Sequence, residues 1–126
     1  MINRKKTTQD VLQEELLRER AAVLARAGEK LDAAMEKLGK IDAEITASLG
    51  LLGGGGERTA VSAAKARRTL LDEINEKIRA YNRQREQVKT RTYYLIVTRE
   101  ALGLVHHHRL AELYRLPPRK QCLPEP

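Results

Sequence analysis

The sequence predicts an all-α protein, built as a long antiparallel helical hairpin with a short C-terminal helix. Phe and Trp are absent from its 126 residues and four tyrosines are the only aromatic residues, so we expect a thin core filled by aliphatic side chains. Charged residues make up 33% of the chain, and the abundance of Ala, Leu, Glu, Lys and Arg is typical of long helices and coiled coils. Two apolar heptad patterns are separated by a glycine tract, which indicates a chain reversal between two helices.

The first helix is predicted over residues 9–49, after a basic N-terminal tail at residues 1–8. Thr7 and Thr8 are candidate N-caps, and no proline follows before residue 49. Apolar residues recur every seven positions, with a companion row three positions later, as in a coiled coil. The two rows are Leu17, Leu24, Leu31, Leu38 and Ile45, and Ala27, Ala34 and Ile41.

The glycine-rich segment 50–56 is predicted to be the tip of the hairpin, because consecutive glycines do not sustain a helix. The second helix is predicted over 57–103, with Gly103 as its C-cap. Its apolar row alternates steps of three and four: Leu71, Ile74, Ile78, Tyr81, Arg85, Val88, Thr92, Leu95, Arg99 and Leu102. A reversal centred near Gly53 would place Tyr81 opposite Ala25 and Ala27.

The open end of the hairpin carries the densest apolar run of the chain, at 93–97. A short helix is predicted over residues 105–116, ending at two prolines. If this helix and the start of the first helix leave apolar area uncovered, a second copy would cover it and give a homodimeric four-helix bundle. The candidate protein interface comprises Tyr93, Tyr94, Ile96, Val97, Leu110, Leu113 and Tyr114.

The net charge of +7 is concentrated in the second half of the chain. Residues 1–49 carry nine basic and nine acidic residues, whereas residues 57–103 carry eleven and six. The excess forms a basic belt, defined as Lys77, Arg79, Arg83, Lys89 and Arg91. Two interpretations stay open: phosphate contacts with nucleic acid, or a solvated helix flank whose charges pair with acids of the first helix or of a second subunit.

Arg85 falls within the apolar row, where an unpaired buried charge is costly. Its charged group either reaches solvent along its own aliphatic stem or pairs with Glu19 of the first helix.

No catalytic, cofactor-binding or metal-binding residues are predicted, and we expect a protein that is not an enzyme. The consecutive histidines 106–108 point about 100° apart on a helix and cannot converge on one ion. The glycine tract lacks the lysine of a phosphate-binding loop. Cys122 has no second cysteine to pair with, and no small-molecule substrate is expected.

The C-terminal region leaves two further alternatives open. Residues 98–115 have the outline of a helix-turn-helix, but few side chains of the kind that read bases, so a packing lid is the other interpretation. The Pro-rich tail, residues 117–126, either docks as an extended segment on a partner or is solvated.

The sequence predicts a cytoplasmic, bacterial protein without a signal peptide or membrane-spanning helix. The function expected is that of a protein-interaction or scaffold module. The alternative is sequence-independent nucleic-acid binding through the basic belt.

Overall fold

A computed structural model describes residues 6–53 and 60–124. These residues form three helices, α1 (Thr8–Leu52), α2 (Ala60–Ala101) and α3 (His108–Leu113), and contain no strand. Residues 1–5 of the predicted N-terminal tail, 54–56 of the glycine-rich tip, 57–59 of the predicted second helix and 125–126 of the Pro-rich tail lie outside the described residues. The two long helices pack together, and both are about 65 Å long.

The start of α1 is fixed by a capping box. The Thr7 hydroxyl accepts a hydrogen bond from the Asp10 N–H at 3.1 Å, and the Asp10 carboxylate accepts one from the Thr7 N–H at 3.1 Å. Both bonds satisfy amide groups that have no partner within the helix, and the Asp10 charge is favourable at this end of the helix dipole. At its other end α1 continues past the predicted boundary at residue 49, because Leu52 packs against the core.

The end of α2 confirms the predicted glycine cap. Gly103 has a φ of +88°, the Gly103 N–H donates to the Glu100 carbonyl at 3.0 Å, and the Leu104 N–H donates to the Arg99 carbonyl at 2.9 Å. This pair of bonds is a Schellman motif, which favours glycine because other residues are strained at positive φ. The short helix α3 then occupies only the middle of the predicted range 105–116.

The core lies between α1 and α2 and is narrow. Its buried apolar residues all belong to the rows predicted from the sequence: Leu31, Leu38 and Ile45 of α1, and Leu71, Ile74, Ile78, Tyr81, Val88 and Leu95 of α2. Leu31 and Ile74 are 0% exposed. Arg85, Thr92 and Arg99, which interrupt the α2 row, are only partly buried.

The register between the two helices differs from the prediction. Ser48 accepts a hydrogen bond from Lys77, and the Ala34 carbonyl accepts one from Gln84. Tyr81 therefore lies near Asp42, not opposite Ala25 and Ala27. The predicted offset is wrong by about two heptads, because these bonds pair α2 with positions of α1 that come later in the sequence than a reversal near Gly53 would bring opposite it.

We expect the substitution Gly103→Ala to lower the free energy of unfolding by about 1 kcal/mol, because the new side chain is forced into the left-handed region. No heavy atom lies within 4 Å of the added methyl group, so backbone strain is the only cost. The matched control is Gly39→Ala, at an exposed α1 position that is equally open. The control should raise the stability by up to about 1 kcal/mol, since alanine is the better helix former. Urea unfolding followed by circular dichroism compares the two, and equal effects would contradict this account.

Candidate interaction surfaces

The apolar run of α2 is largely exposed. The Tyr93 side chain is 63% exposed and the Tyr94 side chain 53%, and their ring centroids lie 5.9 Å apart. Val97 is also exposed, whereas Ile96 is half-buried. Three of these four predicted interface residues therefore lie on the outer surface of the helix.

The C-terminal part of the predicted interface is divided between two sides of α3. Leu110 and Tyr114 pack against the core, and the Tyr114 hydroxyl donates a 2.5 Å hydrogen bond to the Asp32 carboxylate of α1. Leu113 points away and is 75% exposed. The three residues thus do not form one surface, because only two of them face the long helices.

The first four turns of α1 form a second apolar surface, which the sequence predicts to cover part of the apolar run 93–97. We call it the α1 arm, residues 8–23. Its large apolar side chains are all exposed: Val11, Leu12, Leu16, Leu17 and Val23. Leu17 belongs to the same heptad row as Leu31, yet it is 64% exposed while Leu31 is 0% exposed. The row is therefore longer than the part that α2 covers.

The basic belt is partly neutralised within α2. Arg79 and Arg83 both form ion pairs with one carboxylate, that of Glu76, at 3.1 and 3.6 Å. The hydrogen bond to Glu76 raises the pKa of Arg79 above its ordinary value. Among the described residues, Lys89 and Arg91 form no ion pair, so these two members of the belt keep an uncompensated charge.

Lys77 is directed to a partner on α1, and Arg85 to one in the C-terminal tail. The Lys77 amino group donates to the Ser48 hydroxyl at 3.0 Å. Arg85 forms no bond with Glu19; its Nε donates to the Pro117 carbonyl at 2.8 Å, and its Nη1 lies 3.3 Å from the Glu86 carboxylate. The C-terminal tail thus supplies a hydrogen-bond partner for Arg85 in place of the predicted Glu19.

The C-terminal segment, defined as residues 115–124, forms no helix and lies along α2. Asn82 pairs with both backbone groups of Lys120: its side-chain N–H₂ donates to the Lys120 carbonyl at 2.8 Å, and its side-chain oxygen accepts from the Lys120 N–H at 2.9 Å. Asn75 pairs in the same way with Leu123, at 3.1 and 2.7 Å. The predicted tail is therefore docked on the protein's own surface.

Lys120 also makes side-chain contacts with both long helices. Its amino group lies 2.9 Å from the Asp42 carboxylate of α1 and 4.9 Å from the ring centroid of Tyr81. An ammonium group over an aromatic face is attracted by the ring electrons. The C-terminal segment therefore bridges α1 and α2.

The three histidines do not converge. His107 is half-buried, accepts a hydrogen bond from the Arg99 Nε at 3.3 Å and lies 3.2 Å from the Glu100 carboxylate, whereas His106 and His108 are exposed. Over residues 6–53 and 60–124, no group of three or more His, Cys, Asp or Glu side chains is arranged to hold a metal ion. In the same residues, neither long helix contains an apolar stretch sufficient to cross a membrane.

No protein-family model, no curated protein and no solved structure matches this chain.

Two tyrosines have raised pKa values. For Tyr114 the main cause is the hydrogen bond to Asp32, which holds the phenol proton, and for Tyr81 it is burial between the helices. A pKa raised above the unfolded value of about 10 gives a contribution to stability that is present below that pH and lost as the pH rises through the folded value.

We therefore expect the tyrosinate absorbance to show a component that titrates above about pH 10. The substitutions Tyr114→Phe and Tyr81→Phe should each remove part of this component. Each should also reduce the fall in stability at alkaline pH, measured by urea unfolding. A component that neither substitution reduces would contradict the assignment.

Proposed function

We propose that this protein is a non-enzymatic protein-interaction module, in which α1 and α2 form an antiparallel coiled-coil hairpin that self-associates into a dimeric four-helix bundle. The observation that carries the proposal is the uncovered heptad row of the α1 arm. Single exposed apolar residues are normal on protein surfaces, but a contiguous group of them indicates an interface.

The α1 arm has the features that pairing with another helix requires. Leu17 continues the row that packs on α2 further along α1, so its spacing already suits helix–helix contact. Acidic and basic residues lie near Leu17 in similar number: Glu14 and Glu15 precede it in the sequence, and Arg18 and Arg20 follow it. This mixture allows two copies to pair without net repulsion.

A two-fold dimer would combine the exposed surfaces. In an isologous interface the same patch of both copies is buried. The α1 arm and the exposed residues Tyr93, Tyr94 and Val97 are the apolar areas available for this contact. The proposed setting is the bacterial cytoplasm, which rests on composition alone.

We expect the wild-type chain to sediment as a dimer at micromolar concentration, and the substitution Leu17→Asp to convert it to a monomer with unchanged helical circular dichroism. A charge at the centre of the arm would be buried without a partner in the dimer. The matched control is Leu51→Asp, in the same helix, because Leu51 is 67% exposed against 64% for Leu17.

The Leu51→Asp control should sediment as a dimer, as we expect for the wild-type chain. A wild-type mass equal to one chain at these concentrations would refute self-association. Equal effects of the two substitutions would show that the arm is not the interface.

Nucleic-acid binding through the basic belt is the alternative function. The observation that favours it is charge that the protein does not neutralise: two arginines share the Glu76 carboxylate, and Lys89 and Arg91 have no acidic partner among the described residues. Stacking aromatics, which non-specific single-strand binding usually employs, are represented in this part of α2 only by the buried Tyr81.

The two functions are separated by measuring the binding of a fluorescent random-sequence duplex and single strand at low and physiological salt. For an interaction module we expect no micromolar binding at physiological salt. Binding that weakens steeply with salt, and is abolished by Lys89→Glu with Arg91→Glu, would establish the alternative. The control pair Lys30→Glu with Lys37→Glu makes the same charge change on exposed positions of α1.

A further inference from the structure

The mode in which the C-terminal segment is held is that of a bound peptide. Asn82 and Asn75 each satisfy both the N–H and the C=O of one residue of the segment. A side-chain amide has the same donor and acceptor as a peptide group, so these bonds recognise backbone irrespective of the side chain attached. Arg85 adds a third backbone contact through the Pro117 carbonyl.

The spacing of the two asparagines matches an extended ligand. Asn75 and Asn82 are seven residues apart in α2, which separates them by about 10.5 Å along the helix axis. Their partners Leu123 and Lys120 are three residues apart, which corresponds to about 9 Å in a polyproline II conformation. One heptad of α2 and three residues of an extended ligand therefore have nearly the same length. As a result, asparagines seven residues apart on α2 can each bond the backbone of every third residue of the ligand.

The burial pattern of the segment has the same three-residue period. Pro117, Lys120 and Leu123 are partly buried, whereas the two residues between each pair are exposed. This is the period of a polyproline II helix with one face against a surface. The partly buried positions determine which ligand sequences the surface accepts. Lys120 contacts the Asp42 carboxylate and the Tyr81 ring, and Leu123 packs against the core.

We propose that the groove formed by Asn75, Tyr81, Asn82, Arg85 and Asp42 is a peptide-binding site. Its ligand class is an extended segment of a partner protein with proline, lysine and leucine at successive three-residue intervals. The C-terminal segment of the chain is its tethered occupant. A partner gains access by displacing that segment, which is held mainly by polar contacts that are half exposed; Lys120 and Asp42 have side chains 33% and 50% exposed. The site is separate from the α1 arm.

The test uses the full-length chain with Lys120→Glu and Leu123→Asp, which remove both inward anchors of the tethered segment and leave the groove intact. A fluorescent peptide of residues 115–124 is the probe, and anisotropy is the readout. We expect the peptide to bind this variant at least about tenfold more tightly than the wild type, whose own segment competes at an effective concentration near millimolar.

Two controls identify the groove as the site. Adding Asn82→Ala to the variant should weaken peptide binding at least about tenfold, since two backbone groups lose their partner. Gln87→Ala, which removes an amide from an exposed position of α2, should leave it unchanged. A peptide that carries the Lys120→Glu change should not bind.

Equal binding with and without Asn82→Ala, or no binding to a variant that keeps its helical circular dichroism, would overturn the proposal. The proposal would also be overturned if the wild type dimerised and the variant with Lys120→Glu and Leu123→Asp stayed monomeric. That result would show that the C-terminal segment binds the groove of a second copy of the chain.

If the variant loses helicity, a dye on Cys122, the only cysteine and an exposed one, reports on the segment in the otherwise wild-type chain. Free peptide at about millimolar concentration should then lower the dye anisotropy, and an unchanged anisotropy would overturn the proposal.

Discussion

Gln84 lies in the buried interface of the two long helices and donates its side-chain amide to the carbonyl of Ala34 at 3.0 Å. Among the residues that the structure describes, it is the only buried amide side chain, in a core otherwise made of aliphatic groups, Tyr81 and Ser48. A polar group in such a place costs free energy unless its partner is in reach, and the Ala34 carbonyl is that partner. Further along the interface, Lys77 donates to the side-chain hydroxyl of Ser48. A shift by one heptad would bring Ile41 to the place of Ser48, so this bond favours one offset of α1 against α2.

The offset determines which surfaces are left for other molecules. It carries the beginning of α1 past the region that α2 covers, so the α1 arm keeps its apolar row exposed. It also brings Asp42 of α1 beside Tyr81 of α2 and so creates the acidic and aromatic contacts of Lys120. The arm and the groove are thus two consequences of the same register, on different parts of the molecule.

Most of the fold was predictable from the sequence, because heptad spacing and a glycine at a helix end are local signals. The buried rows and the Gly103 cap follow directly from them. The register between the two helices did not, since a shift by whole heptads places apolar residues opposite apolar residues again, and only polar side-chain pairs such as Lys77 and Ser48 distinguish the alternatives.

The docking of the C-terminal segment was also outside the reach of sequence reasoning, for a different reason. Its main bonds join asparagine side chains to backbone groups, and every residue of a tail except proline offers the same backbone. The usable signal was the spacing of Asn75 and Asn82 by one heptad together with the three-residue spacing of Pro117, Lys120 and Leu123. To recognise this signal, the seven-residue spacing on a helix must be compared with the three-residue spacing on an extended segment.

The capping box at Thr7 and Asp10 has a consequence for the rate and strength of association. An isolated helix of the length of the α1 arm would be marginal in water because nucleation is unfavourable, but this arm continues a helix that is already packed and has a satisfied first turn. A molecule that binds there meets side chains on an ordered backbone, so association is spared the conformational entropy that a disordered segment loses when it folds on its partner. Such a surface can be small and still hold a partner.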